Sequence, residues 1–254
     1  MTRVTALPLL DELLANAWPP QLLRLDGQWR LRWSSGVTRR GNSALAVGAE
    51  EGLDEHIDVA EAFYLGRRST PMFQVSTASA PSSLAGRLAA RGYAGSARTI
   101  VAHSATEEVL GATGSGPWAH ESTSRVTDGW FETYWAVKSP PGRLGPEADV
   151  CRSALLHPSP PSLYVALSQA GTLCGVGQLV IEHGWAGVQC MATSEAGRRQ
   201  GVATAVLHHL ACEATSRGVE RMYLAVMADN SGARRLYDAV GFVASHEYRF
   251  FAPS

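Results

Sequence analysis

The feature that most constrains the fold is an apolar strand pattern that runs into a charged loop and then into a helix pattern. Residues 185–194 read WAGVQCMATS. The loop that follows contains Arg198, Arg199 and Gly201, and apolar residues then recur every three or four positions. A helix start carries unpaired N–H groups and the positive end of its dipole, so cations there are unfavourable unless an anion binds. The segment therefore predicts an anion site, with solvated arginines in an ordinary turn as the alternative.

The second half of the chain has the element order β-β-β-α-β-α-β. Alternating or continuous apolar runs predict strands at SLYVAL, at 172–183 and at 185–194, with a buried strand at MYLAVM and a last strand at VASHEYRFFA. The helix after the loop ends at Gly218, and a shorter helix ends at Gly241. The predicted buried stripe of the longer helix consists of Ala203, Val206, Leu207, Leu210, Ala211 and Ala214.

A fainter copy of this order precedes it. The first half contains a strand, a short helix, Arg-Gly-Tyr and a strand, which echo a strand, a short helix, Val-Gly-Phe and a strand in the second half. The Gly/Ser-rich segment 111–117 separates the two. We therefore predict an α/β (α+β) fold with lobes at 1–112 and 118–254, each a central mixed β-sheet flanked by helices. A chance echo is the alternative.

The composition argues against several classes of protein. The net charge is -1, and the four cysteines form no CxxC pair, so neither a nucleic-acid surface nor a structural zinc site is indicated. Asp11 and Glu12 interrupt the apolar N-terminal stretch, which favours an amphipathic helix over a signal peptide. We expect a cytoplasmic protein that holds no metal and that binds neither nucleic acid nor a membrane. A homodimer is compatible with the sequence.

A second motif follows the predicted buried strand and reads DNSGARRLYDAVGF. Taken with the loop, it resembles the GCN5-related N-acetyltransferases, the GNAT superfamily, over roughly residues 125–254. The family's cofactor loop, Arg/Gln-x-x-Gly-x-Gly/Ala, is matched by Arg198, Gly201 and Ala203. Its second motif is matched by Asn230, Ala233, Leu236, Tyr237, Gly241 and Phe242.

The resemblance implies that acetyl-CoA binds as co-substrate in a gap between strands 185–194 and 222–227. An amine then attacks the thioester directly through a tetrahedral intermediate, which a strand N–H near Ala192 stabilises. Tyr237 stands where the family has its general acid, with a core tyrosine as the alternative. The implied cofactor-binding residues are Met191, Ala192, Thr193, Arg198, Arg199, Gln200, Gly201, Val202, Ala203, Thr204, Asn230, Ala233 and Tyr237.

The sequence departs from the family pattern in two respects. Arg199 occupies a position that is usually glycine, which predicts a stiffer loop. Residues 185–189 lack the carboxylate that many members place there to take a proton from the amine. Glu182 is taken as the candidate base, with neighbouring His183 as another candidate and His120 and Glu121 as more distant ones.

We expect an N-acetyltransferase whose acceptor is the primary amine of a small molecule, because a first lobe would narrow the cleft. That lobe has the acidic stretch GAEEGL where a cofactor loop would stand, which predicts one active site per chain. The alternatives are a peptide amine as acceptor, a longer acyl chain, and a regulatory protein that holds acyl-CoA without turnover. The aromatic cluster Trp130, Phe131, Tyr134 and Trp135 is either core or a wall of the acceptor pocket.

Overall fold

A computed structural model describes residues 6–48, 50–139, 145–158 and 160–254. The chain forms two compact units. The first comprises Met1–Val101, Met227–Asp229 and Ser245–Ser254, and the second comprises Ala102–Val226 and Asn230–Ala244. These units differ in extent from the predicted lobes, since residues 102–112 fall in the second unit and the C-terminal segment falls in the first.

Eight α-helices and twelve strands are numbered here in chain order for the described residues. The helices are α1 Ala6–Asn16, α2 Leu53–Leu65, α3 Leu84–Ala90, α4 Thr106–Gly111, α5 Asp128–Lys138, α6 Pro146–Leu156, α7 Val202–Ser216 and α8 Ser231–Ala239. The strands are β1 Leu22–Asp26, β2 Trp29–Trp33, β3 Ala44–Leu45, β4 Phe73–Ser76, β5 Tyr93–Gly95, β6 Thr99–Ala105, β7 Ala119–Thr123, β8 Ser162–Gln169, β9 Thr172–Glu182, β10 Trp185–Thr193, β11 Arg221–Met227 and β12 Val243–Pro253.

The first unit contains a mixed sheet in the order β1-β2-β3-β4-β12, with β5 also paired to β12. Strands β3 and β4 are parallel, and the other pairs are antiparallel. One face of this sheet carries the apolar core, which is closed by α2 and includes Trp29, Leu31, Ile57, Phe63, Tyr64 and Phe73. The mixed sheet with flanking helices agrees with the predicted fold class.

The second unit contains a mixed sheet in the order β6-β11-β10-β9-β8-β7. Strands β10 and β11 are parallel, whereas β7 to β10 form an antiparallel series. Helix α7 lies on this sheet, and Gly175 and Gly177 of β9 leave the space that its side chains fill. The predicted strand–loop–helix–strand–helix–strand order of this half is confirmed, and with it the α/β (α+β) class.

Helix α7 ends as the sequence predicts. Gly218 has a φ of 71°, and the Val219 N–H donates to the Ala214 carbonyl at 3.0 Å. This is the closing bond of a left-handed helix end, which glycine adopts without steric cost. The buried stripe is wider than the prediction and shifted at one position: Ala203 is only partly buried, whereas Val202, Ala205 and His209 are buried as well. No helix in the described part of the chain is both long and apolar enough to cross a membrane.

Candidate active site

The charged loop connects the end of β10 to the start of α7. A short 3-10 turn at Glu195–Gly197 comes first, and Gly201 then caps the helix with a φ of 83°. Arg199 also lies in the left-handed region, with a φ of 60°. The structure therefore keeps the glycine-type backbone at both positions, although only Gly201 is a glycine.

The start of α7 leaves backbone donors available at this loop. The N–H of Ala205 donates to the Gly201 carbonyl at 3.0 Å, so the amides of Val202, Ala203 and Thr204 precede the helical ladder. Arg198 and Arg199 are exposed beside them. The Gln200 side chain folds back onto the preceding turn, since its Nε2 donates to the Ala196 carbonyl at 2.6 Å. An anion at this point would meet three amides and the positive end of a helix dipole.

Two further donors flank the loop and were not foreseen from the sequence. The indole N–H of Trp118 and the hydroxyl of Ser194 are buried and have no hydrogen-bond partner among the described residues. The six-membered ring of Trp118 lies beside Gly201, since a Cβ atom placed on Gly201 would be 3.7 Å from Trp118 Cη2. A buried donor without a partner costs free energy, so both atoms fit a site that a ligand completes.

Strand β10 carries an irregularity where the resemblance implies acyl binding. Its pairing with β9 shifts register between Gln189 and Ala192, and Cys190 has a φ of 51°. A bulge of this kind releases backbone groups from the ladder and turns them aside. On the other side, the parallel register with β11 runs from Trp185 to Gly187. Thus the predicted residues Met191, Ala192 and Thr193 lie at the bulged end of β10.

Helix α8 holds the residues of the second motif. The side-chain oxygen of Asn230 accepts a hydrogen bond from the Ala233 N–H at 3.1 Å, so Asn230 caps this helix. Tyr237 is partly exposed, and its ring meets the edge of Phe242 at a centroid distance of 5.8 Å. Desolvation by the surrounding protein raises the pKa of Tyr237 to about 12. The phenol therefore keeps its proton throughout the neutral range, as a general acid requires.

The structure does not bring Glu182 to the bulge. Glu182 pairs opposite Trp185 at the closed end of the β9–β10 hairpin. Met191 lies six positions beyond Trp185 along β10, which corresponds to about 20 Å at roughly 3.3 Å per strand residue. Its neighbour His183 is exposed in the hairpin turn. Glu182 as the base remains a prediction from sequence.

His120 and Glu121 lie on β7, which is three strands away from β10 in the sheet. Neighbouring strands are about 4.8 Å apart, so these side chains start roughly 14 Å from β10. His120 stacks on His209 of α7 with ring centroids 4.0 Å apart. Burial, and then the neighbouring imidazoles, lower the pKa of His209. His208 and His209 therefore have partners outside α7: His209 contacts His120, and His208 contacts Thr113.

In the segment 185–189, where the sequence lacks the expected carboxylate, a side chain from the neighbouring strand β11 fills the space. A Cβ atom placed on Gly187 would lie 2.5 Å from the hydroxyl oxygen of Tyr223, so Tyr223 of β11 fills the space above Gly187. Tyr223 is fully buried and meets Trp185 edge to face. The signal for this contact is the glycine itself, because the missing side chain leaves room for a ring from the parallel strand.

The aromatic cluster of α5 is mainly core. Trp130, Phe131 and Tyr134 are buried, and the Trp130 indole N–H donates to the Val165 carbonyl at 2.9 Å. Trp135 is partly exposed. The four cysteines, all in the described part of the chain, form no disulfide. The described residues include no group of three or more His, Cys, Asp and Glu side chains arranged to hold a metal.

Comparison with known proteins identifies the second half of the chain. Residues 125–242 match the acetyltransferase (GNAT) family. The chain is also 26% identical over 248 residues to an uncharacterized N-acetyltransferase, YobR, of Bacillus subtilis strain 168, covering 94% of this chain and 96% of the relative. This chain therefore carries a GNAT acetyltransferase domain at residues 125–242, and the predicted family is confirmed.

Solved structures show the same fold at low sequence identity. A GCN5-related N-acetyltransferase from Kribbella flavida superposes with a TM-score of 0.72 at 12% identity, covering 99% of this chain and 96% of that chain. A tandem GNAT protein from the clavulanic acid biosynthesis pathway superposes with a TM-score of 0.64 at 13% identity, covering 80% and 70%. The tandem arrangement is thus represented among folds similar to this one.

Proposed function

We propose that this chain transfers an acetyl group from acetyl-CoA to the primary amine of a small molecule. The observation that supports it best is the set of donors around one loop: the amides at the start of α7, the indole of Trp118 and the hydroxyl of Ser194. The family assignment supplies the reaction class, namely acetyl transfer.

The loop would hold the pyrophosphate of the co-substrate. The amides of Val202, Ala203 and Thr204 would donate to its oxygens, and Arg198 and Arg199 would add charge-assisted contacts. The bulged end of β10 would pair with the pantetheine arm through Met191–Thr193, as an added strand does. Replacing Arg198 by Gln should raise the KM for acetyl-CoA several-fold. Arg217→Gln, at the other end of α7, serves as the matched control.

The protein's own residues would act on both ends of the transfer. Bound acetyl-CoA supplies an acyl group activated as a thioester. A backbone N–H near Ala192 would stabilise the negative charge that develops on the acyl oxygen. The Tyr237 phenol would give its proton to the departing sulfur. Glu182 remains the sequence-predicted base, and a Glu182→Gln variant tests it.

Acetyl transfer is measured as free CoA released across a panel of small amines and amine-bearing peptides. Wild-type turnover with a small amine, reduced at least about 100-fold by Tyr237→Phe, supports the proposal. The control is Tyr93→Phe in the first unit, where the hydroxyl donates to Glu61. Tight CoA binding without turnover on any amine would instead indicate the regulatory alternative. Turnover confined to peptides would indicate a peptide acceptor.

We also propose a single cofactor site per chain, in agreement with the acidic stretch in the first half. Helix α2 of the first unit begins after Gly52, which has a φ of 67°, as α7 begins after Gly201. Its first turn carries Asp54 and Glu55, however, whereas the first turn of α7 has no acidic residue. Carboxylates at a helix start repel a pyrophosphate. One CoA bound per chain in calorimetry is the expected result, and two would contradict it.

The acyl chain length is tested separately. Thermal shifts with CoA esters of two to eight carbons report the room beside the bulge at Cys190. The largest shift with acetyl-CoA supports acetyl transfer, whereas a larger shift with a longer ester would indicate the longer-chain alternative.

A further inference from the structure

The sheet of the first unit has one face that carries the apolar core and a second face, called the polar face below, on which polar and apolar side chains are mixed. Residues directly opposite each other in neighbouring strands share a face. Leu31, Ala44, Phe73 and Phe251 form one such row and belong to the apolar core. The neighbouring row consists of Arg30, Leu45, Gln74 and Phe250, whose side chains lie on the other face of the sheet. By the same alternation Arg32, Ser76 and Tyr248 lie on this polar face.

Arg32 is buried on the polar face with neutral partners. Only 3% of its surface is exposed. Its Nε donates to the Ser43 carbonyl at 3.0 Å, and its Nη2 donates to the Ser43 hydroxyl at 2.8 Å and to the Gln74 side-chain oxygen at 2.7 Å. Among the described residues no acceptor meets Nη1. Two N–H groups of a buried guanidinium therefore lack a partner.

The charges around Arg32 do not balance it. Burial is the largest effect that lowers the pKa of Arg32 to about 10; Tyr64 and Tyr248 oppose it, and Arg40 and Arg30 lower the pKa further. In the described part of this face, the carboxylates already have partners. Asp11 binds His246 at 3.0 Å and Ser79 at 2.8 Å, and Glu12 binds Arg30 at 2.6 Å. A buried cation without a counter-ion is unfavourable.

We infer that the polar face of the first unit binds an oxyanion, a carboxylate or a phosphate group, at Arg32 Nη1. The two free N–H groups of Nη1 match the paired acceptor oxygens of such a group. Nη1 is not among the fully enclosed side-chain atoms that lack a hydrogen-bond partner, so part of its surface remains accessible. The bound charge would offset the repulsion between Arg32 and Arg40.

The test is the thermal unfolding of the full chain in phosphate, sulfate and acetate, against sodium chloride of equal ionic strength. A ligand at about ten times its Kd raises the folded-to-unfolded ratio about tenfold. We expect a saturable rise of this order with at least one oxyanion, and its loss in Arg32→Met. Arg87→Met is the control, because Arg87 is exposed and already paired with Asp54. A larger effect of phosphate than of acetate indicates a phosphate ligand, and the reverse indicates a carboxylate ligand.

Two further experiments distinguish anion binding at Arg32 from anion binding at the loop before α7, and from the misfolding of a variant. The anion effect should persist in Arg198→Gln, which removes a proposed pyrophosphate contact, and its loss there would overturn the inference. Independently of any variant, crystals of the wild-type protein soaked in selenate should show an anomalous peak at Arg32 Nη1. No peak there, or no saturable stabilisation by any of the three anions, would also overturn it.

Discussion

Val202, the first residue of α7, packs directly onto Gly175 of β9. A Cβ atom placed on Gly175 would lie 2.4 Å from Val202 Cγ1, well inside van der Waals contact. Gly197, in the turn between β10 and α7, is equally close to β9, because its Cβ would lie 2.6 Å from the Cys174 carbonyl oxygen. The two contacts fix the height of the loop between β10 and α7 above the sheet.

Gly175→Ala should therefore displace the start of α7. We expect a loss of about 1–3 kcal/mol in the free energy of unfolding, typical of an overpacked core, together with a higher KM for acetyl-CoA. Urea unfolding and initial rates measure the two effects. Gly86→Ala is the control, since Gly86 lies in α3 with open space around it and should gain roughly 0.5–1 kcal/mol. A Gly175→Ala protein with unchanged stability would show that Val202 moves without cost.

Arg199 tests the backbone of the loop. Its φ of 60° is unfavourable for any side chain with a Cβ, by roughly 1–2 kcal/mol. Arg199→Gly should therefore be more stable than Arg199→Ala by about 1 kcal/mol, whereas both lose the guanidinium and raise the KM for acetyl-CoA. At Arg198, which has a φ of -65°, the order should reverse, with alanine the more stable. Equal stabilities of the two Arg199 variants would contradict the left-handed conformation.

Tyr237 gives a prediction about pH. Because burial raises its pKa to about 12, the phenol can donate its proton at every pH below that value. A thiol has a pKa of about 8.5, so the departing sulfur needs a proton less as the pH rises above 9. The defect of Tyr237→Phe in kcat should thus be largest near pH 7 and shrink towards pH 10. A defect that stays constant across this range would point to a packing role.

Asp11 gives a prediction about stability alone. Its carboxylate is buried and hydrogen-bonded to His246 and Ser79, which ties α1 to β12 within the first unit. Asp11→Ala should cost about 3 kcal/mol, because it leaves His246 buried without its partner. Glu12→Ala, one residue further on, breaks an exposed pair with Arg30 and should cost less than about 1 kcal/mol. Chemical denaturation of both variants provides the comparison.

The elements near the loop could be predicted because their signals are local. The periodicity of α7, its terminal Gly218 and the motif in α8 all act through neighbours a few residues away. Strand β1 escaped prediction, since Leu22, Leu23 and Leu25 are exposed and do not alternate with polar residues. Helix α4 has only 6 residues, and neither α4 nor α6 has a side chain that caps its start, so the sequence carries little signal for either.

The contacts that complete the candidate site could not be predicted, because each joins residues far apart in the chain. Trp118 follows a Gly/Ser-rich segment whose pattern says only that the chain turns there. Its approach to Gly201 depends on the docking of α7, which no local pattern reports. Tyr223 over Gly187 likewise depends on the parallel register of two strands. The sequence likewise did not show that Glu182 lies at the closed end of the β9–β10 hairpin, away from the bulge in β10.

The pairing of β12 with β4 has a consequence for how the protein is made. Tyr248–Phe251 pair with Phe73–Ser76, so one edge of β4 has no partner until residues 248–251 have left the ribosome. During that interval the first unit exposes an open strand edge, which is a template for association with other chains. A fragment ending at residue 112 would keep that edge permanently. Neither compact unit can be obtained intact by a single cut in the chain, and expression designs should retain residues 245–254 with the first unit.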